Sequence, residues 1–222
     1  MTGRAVLVFD VNETLLDLSP LAAEFDEILG EGPVVGEWFA RLLHGTLVAN
    51  SLDAYRPFNN IAVEALKVVA TRRRVDLDDG VAQNVVARLT HLRAHPEVFS
   101  AMERLFDAGY RIAALTNGST KDANEQIENA GLHIFFQRII SVEEVRAFKP
   151  DPRPYRHTAE VMDVAMSGMV MVAAHDWDVA GAAAAGCRTV FVNRPGSLWS
   201  LPGKPPGLVA PNLSALAEIL VP

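Results

Sequence analysis

The chain has little with which to brace itself covalently or to cross a bilayer. Cys187 is the single cysteine among 222 residues, which excludes an internal disulfide and suits a reducing compartment. No apolar run approaches the ~20 residues that a bilayer demands, and no basic-then-apolar leader opens the sequence. The expectation is a cytoplasmic protein with no membrane role. Basic charge is also scarce: 20 Lys and Arg stand against 27 Asp and Glu, for a formal charge of −7. That balance argues against nucleic acid as a main partner, but says nothing about a small anion held in a local field. There is no internal repeat and no low-complexity tract. With half the residues hydrophobic and 21% charged, a packed core is expected rather than disorder. The length fits one sizeable domain, or a core domain carrying an insert.

What the chain does have is an apolar run, residues 4–9, that delivers the carboxylate of Asp10. The run reads as a strand covered on both faces. A charge directly after it is costly unless its position is functional. In open α/β sheets the crevice beyond the strand carboxyl ends is where ligands bind, so Asp10 reads as a nucleophile or a metal ligand.

From about residue 18 to residue 94 the texture is helical, with apolar residues at helical spacing and Gly-Pro or Asp-Asp-Gly breaks between them. Four or five helices are expected. Alternation then resumes: helices over 98–108, 120–130, 152–163 and 178–185 each precede a strand, at 111–115, 138–140, 169–172 and 189–192. Gly109 and Gly186 stand where helices should stop. Residues 195–211 read as a Pro- and Gly-rich loop, and 213–220 as a closing helix. The fold class is therefore α/β: a Rossmann-like parallel-sheet core over 1–16 and 95–222, with a helical cap over 17–94 inserted after the first strand.

Four segments fall just past strand ends and should meet at one edge of the sheet. They run from Asp10 to Thr14, from Thr116 to Ser119, from Phe148 to Asp151, and from Ala173 to Asp178. This ordered set, with a cap after the first member, resembles the haloacid dehalogenase superfamily over nearly the whole chain. Most members of that superfamily are magnesium-dependent phosphatases with a second Asp two residues after the nucleophile. Here that position is Asn12, and the metal ligand expected four residues before Asp178 is replaced by Ala174. Asp10 and Asp178 alone make a poor cage for a hard cation, though Asp176 is a third candidate oxygen donor. The chain instead resembles the L-2-haloacid dehalogenase branch, which lacks both acids.

That resemblance implies hydrolysis of a small 2-halocarboxylate to a 2-hydroxy acid with no metal and no cofactor. Asp10 would displace halide from the α-carbon with inversion, forming an ester that water then cleaves. The alternatives are a magnesium-dependent phosphatase of a small phosphorylated metabolite, with Asp176 recruited, and a catalytically idle binding protein. The resemblance also implies a homodimer formed through the cap.

Individual roles follow from the same matches. Thr14 would aim one oxygen of Asp10, and Lys149, in Phe-Lys-Pro-Asp, would keep that carboxylate ionised. Asp178 would hold Lys149 and orient the hydrolytic water, or serve as a helix N-cap. Thr116 and Asn117 would bind the substrate carboxylate, helped by the helix start near Ser119, and Asn117 alternatively ties down its loop. Tyr155 is expected in the site or lining the core, and Trp177 packed against the cap or closing the substrate pocket. His175 stands where the family type carries asparagine, and an imidazole there suits a general base for ester hydrolysis. Asn12 and Glu13 replace the usual Tyr-Gly, so the pocket wall beside the nucleophile differs. The family's halide-binding arginine follows a cap tryptophan; here Trp38 is followed by Phe39, which leaves Arg41 as the expected cation, rotated roughly 200° around the helix. The basic run Arg72-Arg73-Arg74 is expected to complement a helix dipole.

Overall fold

Strand β1 (Val6–Phe9) is buried along its whole length and lies at the centre of a parallel sheet. Around it stand β2 (Arg111–Thr116), β3 (Arg138–Ser141), β4 (Met169–Ala173), β5 (Arg188–Val192) and β6 (Leu208–Ala210), in the order β3-β2-β1-β4-β5-β6. The computed structural model describes residues 5–202 and 205–222; Arg4, expected to open the first strand, lies outside them. Successive strands first step outward from β1 through β2 to β3, then return to its other side at β4. The reversal between β1 and β4 is a topological switch point, where the carboxyl ends of two neighbouring strands splay apart and leave a crevice.

The helices that lead from strand to strand are α5 (Val98–Asp107), α6 (Thr120–Asn129), α7 (Pro152–Val161) and α8 (Asp176–Ala185), and α9 (Leu213–Leu220) follows β6; four more α-helices lie between β1 and α5. Gly186 ends α8 at φ +102° in the left-handed region, a conformation glycine adopts without a Cβ penalty. Helix α8 begins at Asp176, two residues earlier than the sequence pattern suggests, with His175 as its N-cap. β6 falls within the stretch read as loop. It is a three-residue edge strand that pairs with β5 from Leu208 to Ala210, too short to show a period.

Between β1 and α5 the chain is helical: α1 (Leu21–Leu29), α2 (Val34–Ser51), α3 (Phe58–Arg72) and α4 (Asp79–Ala87). The chain leaves and re-enters the core side by side, with Leu16 bridged to Ala94, Asp17 N–H bonded to the Arg93 carbonyl and His95 N–H to that of Leu15. In α2 the buried positions Val34, Trp38, Leu42, Thr46 and Ala49 recur at helical spacing, and the Trp38 indole donates to the Ala62 carbonyl of α3 at 2.9 Å. Arg73 does more than complement its own helix. Its guanidinium reaches the carbonyls of Leu29, Gly30 and Glu31, satisfying the open end of α1.

Asn50 fastens this helical segment to the core. Its side chain accepts from Phe148 N–H at 2.9 Å and donates to the Phe148 carbonyl at 2.7 Å, so α2 grips the loop that carries Lys149. Tyr55 stacks on the Phe148 ring with centroids 5.1 Å apart.

Candidate active site

Asp10 ends β1 on the switch-point crevice, its backbone N–H bonded to the Val172 carbonyl of β4. Its side chain is 7% exposed, and three donors converge on it. Thr14 Oγ1 donates to Oδ2 at 2.8 Å; since that hydroxyl also accepts from Ala174 N–H at 2.9 Å, its hydrogen can only face Asp10. Lys149 Nζ lies 2.8 Å from Oδ1, and His175 Nδ1 is 3.0 Å from Oδ2.

Lys149 is fully buried. Its ammonium has three hydrogens, and three acceptors receive them: Asp10 Oδ1, Asp178 Oδ2 at 2.6 Å and the Leu115 carbonyl at 2.9 Å. Burial alone would push the Lys149 pKa down, but the charges of Asp10 and Asp178 overcome it and hold it above the ordinary value. For Asp10, burial favours the neutral acid, yet Lys149 and His175 outweigh it and keep the carboxyl well below the usual range. The nucleophile candidate is thus an ionised carboxylate in a dry crevice.

His175 carries the same logic one step further. Its Nε2 lies 2.8 Å from Glu13 Oε2, so each ring nitrogen faces a carboxylate oxygen. An ionised carboxylate only accepts; both nitrogens must therefore donate, and the ring is an imidazolium. Burial opposes that charge, but the bonds to Asp10 and Glu13 override it and raise the pKa from 6.5 to about 9. The ring is stacked between Phe39 of α2, at 5.4 Å and 25°, and Trp177, at 5.0 Å and 26°.

Several expected residues serve the site at one remove. Asp178 is wholly buried and both of its oxygens are occupied, by Lys149 and by the Tyr155 hydroxyl at 2.7 Å. It lies in the first turn of α8 rather than at its cap. Asp178 therefore fixes Lys149, and is not open to water. Tyr155, 0% exposed, acts through Asp178 rather than on a substrate. Asn117 accepts from Lys149 N–H at 2.9 Å, so it ties down the loop. Thr116 accepts from Gly118 N–H at 3.1 Å. At the start of α6, Thr120 N–H is taken by Glu143 and Asp122 N–H by Ser119, so two of the amides expected to hold a substrate carboxylate already have acceptors. Asn12 lends its amide oxygen to Gln126 of α6 at 3.0 Å and so is anchored away from the nucleophile. Trp177 covers the site through the stack on His175.

Arg41 is a correction. Its Nη1 meets His44 Nδ1 at 2.6 Å, and the residue lines the groove between α2 and α3. The helix explains it: Phe39 points to the site, and two positions on is roughly 200° around the axis. Glu13 is expected from the sequence only as pocket wall, and Phe39, Asn50 and Arg194 carry no expected role. Arg194, 8% exposed, donates to the Thr14 carbonyl through Nε and Nη2 and to Glu97 through Nη1, pinning the turn after β1. It stands after an apolar strand, the same signal that marked Asp10.

The donors do not fit magnesium. The ammonium of Lys149 already bridges the two acids, position 174 is alanine, and Asp176 turns to Ser200, whose hydroxyl donates to it at 2.8 Å. Among the described residues no group of three His, Cys, Asp or Glu side chains is arranged to hold a metal ion.

Comparison with known proteins agrees with this geometry. The family model described as haloacid dehalogenase-like hydrolase matches residues 5–186, and the chain belongs to that family of hydrolases. It is 28% identical over 216 residues to haloacetate dehalogenase H-2 of Moraxella sp. (strain B), with 96% of each chain covered. It is 29% identical to an (S)-2-haloacid dehalogenase of Pseudomonas fluorescens, covering 96% of this chain and 95% of the relative. The solved structure of the L-2-haloacid dehalogenase RSc1362 superposes with a TM-score of 0.92 at 25% identity, over 99% of both chains.

Proposed function

We propose that this hydrolase cleaves the carbon–halogen bond of short 2-haloalkanoic acids, using Asp10 as a covalent nucleophile and no metal. The observation that carries the reading is the ionised, buried Asp10 carboxylate, aimed by Thr14 and paired with Lys149 at the end of β1. An oxygen of Asp10 attacks the α-carbon in line; the carbon–oxygen bond forms as the carbon–halogen bond breaks, and halide departs with the electron pair. The product is an ester on Asp10 with inverted carbon. Water then adds at the Asp10 carbonyl carbon, and the hydroxy acid leaves from that same carbon.

Lys149 and His175 are the two cations beside the reacting group. They keep Asp10 ionised, and in a dry site they are placed to meet the negative charge of a carboxylate substrate and of a departing halide. The relatives named for haloacetate and (S)-2-haloacid substrates support this choice. The phosphatase alternative gains nothing from the geometry, because Asn12 is engaged with Gln126 and Asp176 with Ser200.

The test is mass spectrometry of a single turnover of chloroacetate or 2-chloropropionate in water labelled with heavy oxygen. Label is expected in Asp10 before it reaches the hydroxy acid, and halide release should continue in a chelator. Label entering the product directly, or halide release restored only by magnesium, refutes the reading.

A further inference from the structure

We infer that Glu13 and His175 form the water-activating unit of the ester-hydrolysis step, switched on by the loss of charge at Asp10. The inference rests on the aspartyl-ester reading above, and adds a residue with an unexpected role, Glu13, and an order of events.

Three observations carry it. First, the His175 ring bridges two carboxylates, with Nδ1 at 3.0 Å from Asp10 and Nε2 at 2.8 Å from Glu13. Second, Glu13 sits at φ +58°, a left-handed conformation that glycine takes freely and that costs other residues of order 1 kcal/mol. Its backbone there bonds Leu16 and His95, and its carboxylate, which a glycine would lack, meets His175. Third, the ring is clamped between Phe39 and Trp177, so its nitrogens keep their aim when one partner changes. The Glu13 side chain is 43% exposed and lines a cleft of about 420 Å³ shared with Asp17, His95 and Arg194, a route for water and protons.

Asp176, next to His175 in the chain, turns away to Ser200. Asp10 and Glu13 face it directly, Lys149 bonds the other oxygen of Asp10 and lies 5.8 Å from the Trp177 ring centre, and Phe39 and Trp177 are uncharged. In the resting enzyme two carboxylates hold the imidazolium. Alkylation turns Asp10 into a neutral ester, removing one of the two charges that overcame burial. The imidazolium then gives its Nδ1 proton to solvent. Glu13 keeps the Nε2–H, which fixes the tautomer and leaves the Nδ1 lone pair facing the ester. Nδ1 next takes a proton from water as the oxygen adds to the Asp10 carbonyl carbon. When the ester bond breaks, the second water hydrogen ends on the hydroxy acid. Asp10 is again a carboxylate, His175 is again an imidazolium, and the single proton lost per turnover has left before hydrolysis.

Rapid-quench turnover of 2-chloropropionate, with halide, hydroxy acid and intact-protein mass followed together, tests this. His175→Gln should still release up to one equivalent of halide per site, more slowly because one of the two cations beside Asp10 is gone, and then accumulate the ester, with hydrolysis slowed by about 100-fold or more, the contribution of a placed general base. Glu13→Gln should slow hydrolysis less and move its half-maximal pH downward, because the imidazolium loses its anionic partner; a merely structural role would lower the amplitude without moving that pH. If His175→Gln fails to fold, the half-exposed Glu13→Gln decides. Hydrolysis at the wild-type rate in both variants, or loss of the halide burst in Glu13→Gln, overturns the inference while leaving the ester reading intact. A wild-type protein that releases no halide overturns both.

Discussion

Replacing Lys149 by methionine removes the ammonium from between two buried acids and leaves the space filled. Asp10 keeps an opposite charge, because His175 remains 3.0 Å away. Asp178 does not: its remaining partner is the neutral Tyr155 hydroxyl, inside a region where it is 0% exposed. An uncompensated charge there will be discharged by taking up a proton. Bringing a carboxyl with an ordinary value of 3.8 to its neutral form at pH 7 costs about 4 kcal/mol, at about 1.4 kcal/mol per pH unit. That caps the penalty, and it falls within the roughly 3–5 kcal/mol seen when one partner of a buried pair is deleted. The cost shrinks as protons become plentiful, to about 1.6 kcal/mol at pH 5 by the same conversion. Urea unfolding of wild type and Lys149→Met at pH 7 and pH 5 measures both numbers. Lys149→Met/Asp178→Asn should regain most of the stability at pH 7 yet remain unable to release halide. A deficit under about 1 kcal/mol, or one that does not change with pH, refutes the view that Lys149 compensates a buried acid.

Further outcomes follow from the same geometry. His175 has its pKa raised from 6.5 to about 9, so its contribution to stability is complete below pH 6.5 and is lost as pH rises through 9. Unfolding free energies measured from pH 6 to pH 10 should fall by about 3 kcal/mol, and Glu13→Gln should flatten that fall; a flat wild-type curve contradicts the imidazolium. Arg41→Ala should leave halide release within about twofold of wild type, since its guanidinium engages His44 beside the α2–α3 groove, and a loss of tenfold or more in a steady-state assay would return Arg41 to the site. Gly181→Ala should lose about 1–3 kcal/mol by overpacking: a β-carbon would stand 2.8 Å from the Pro150 carbonyl oxygen and 2.9 Å from its Cα. Because Pro150 follows Lys149, halide release should fall with stability, and an unchanged melting temperature would show that the loop yields.

Much of the site is legible because position in a parallel sheet translates directly into proximity. Asp10, Lys149 and Asp178 each follow a strand or a strand-end loop, and strand ends on one edge must converge. The helical insert is legible for a similar reason, since apolar residues at helical spacing with clear breaks leave no other regular structure. What fails is whatever depends on direction rather than place. Arg41 has a suitable charge on the right helix, but a two-residue displacement carries it around the cylinder. For Asn117 and Tyr155 the residue pattern leaves two readings open, and the contacts of Asn117 Oδ1 with Lys149 N–H and of the Tyr155 hydroxyl with Asp178 match the loop-tying and core-lining ones. Glu13 is expected in the pocket wall, where it replaces a glycine of the resembled family, but its contact with His175 depends on a positive φ that a glutamate's identity does not announce. β6 escapes because three residues carry no period.

The residues that were hardest to foresee explain how the foreseen ones coexist. Two acids within reach of one lysine leave a net negative charge in a crevice from which water is largely excluded, and burial, with the charge of Asp10, holds the Asp178 carboxyl above its ordinary value even against Lys149. The contacts form a row in which acids and bases alternate: Glu13, His175, Asp10, Lys149, Asp178, with each neighbour between 2.6 and 3.0 Å from the next. One end of the row, Asp178, is sealed by Tyr155; the other, Glu13, reaches the cleft. Any event that changes the charge of the middle member must be answered along the row, and His175, with its side chain 11% exposed, is nearer solvent than Lys149 at 0%. Alkylation of Asp10 is such an event. The proton should therefore leave on the His175 side while Lys149 keeps its own, which makes proton release coincident with halide release in a stopped-flow record, and separable in time from the appearance of hydroxy acid.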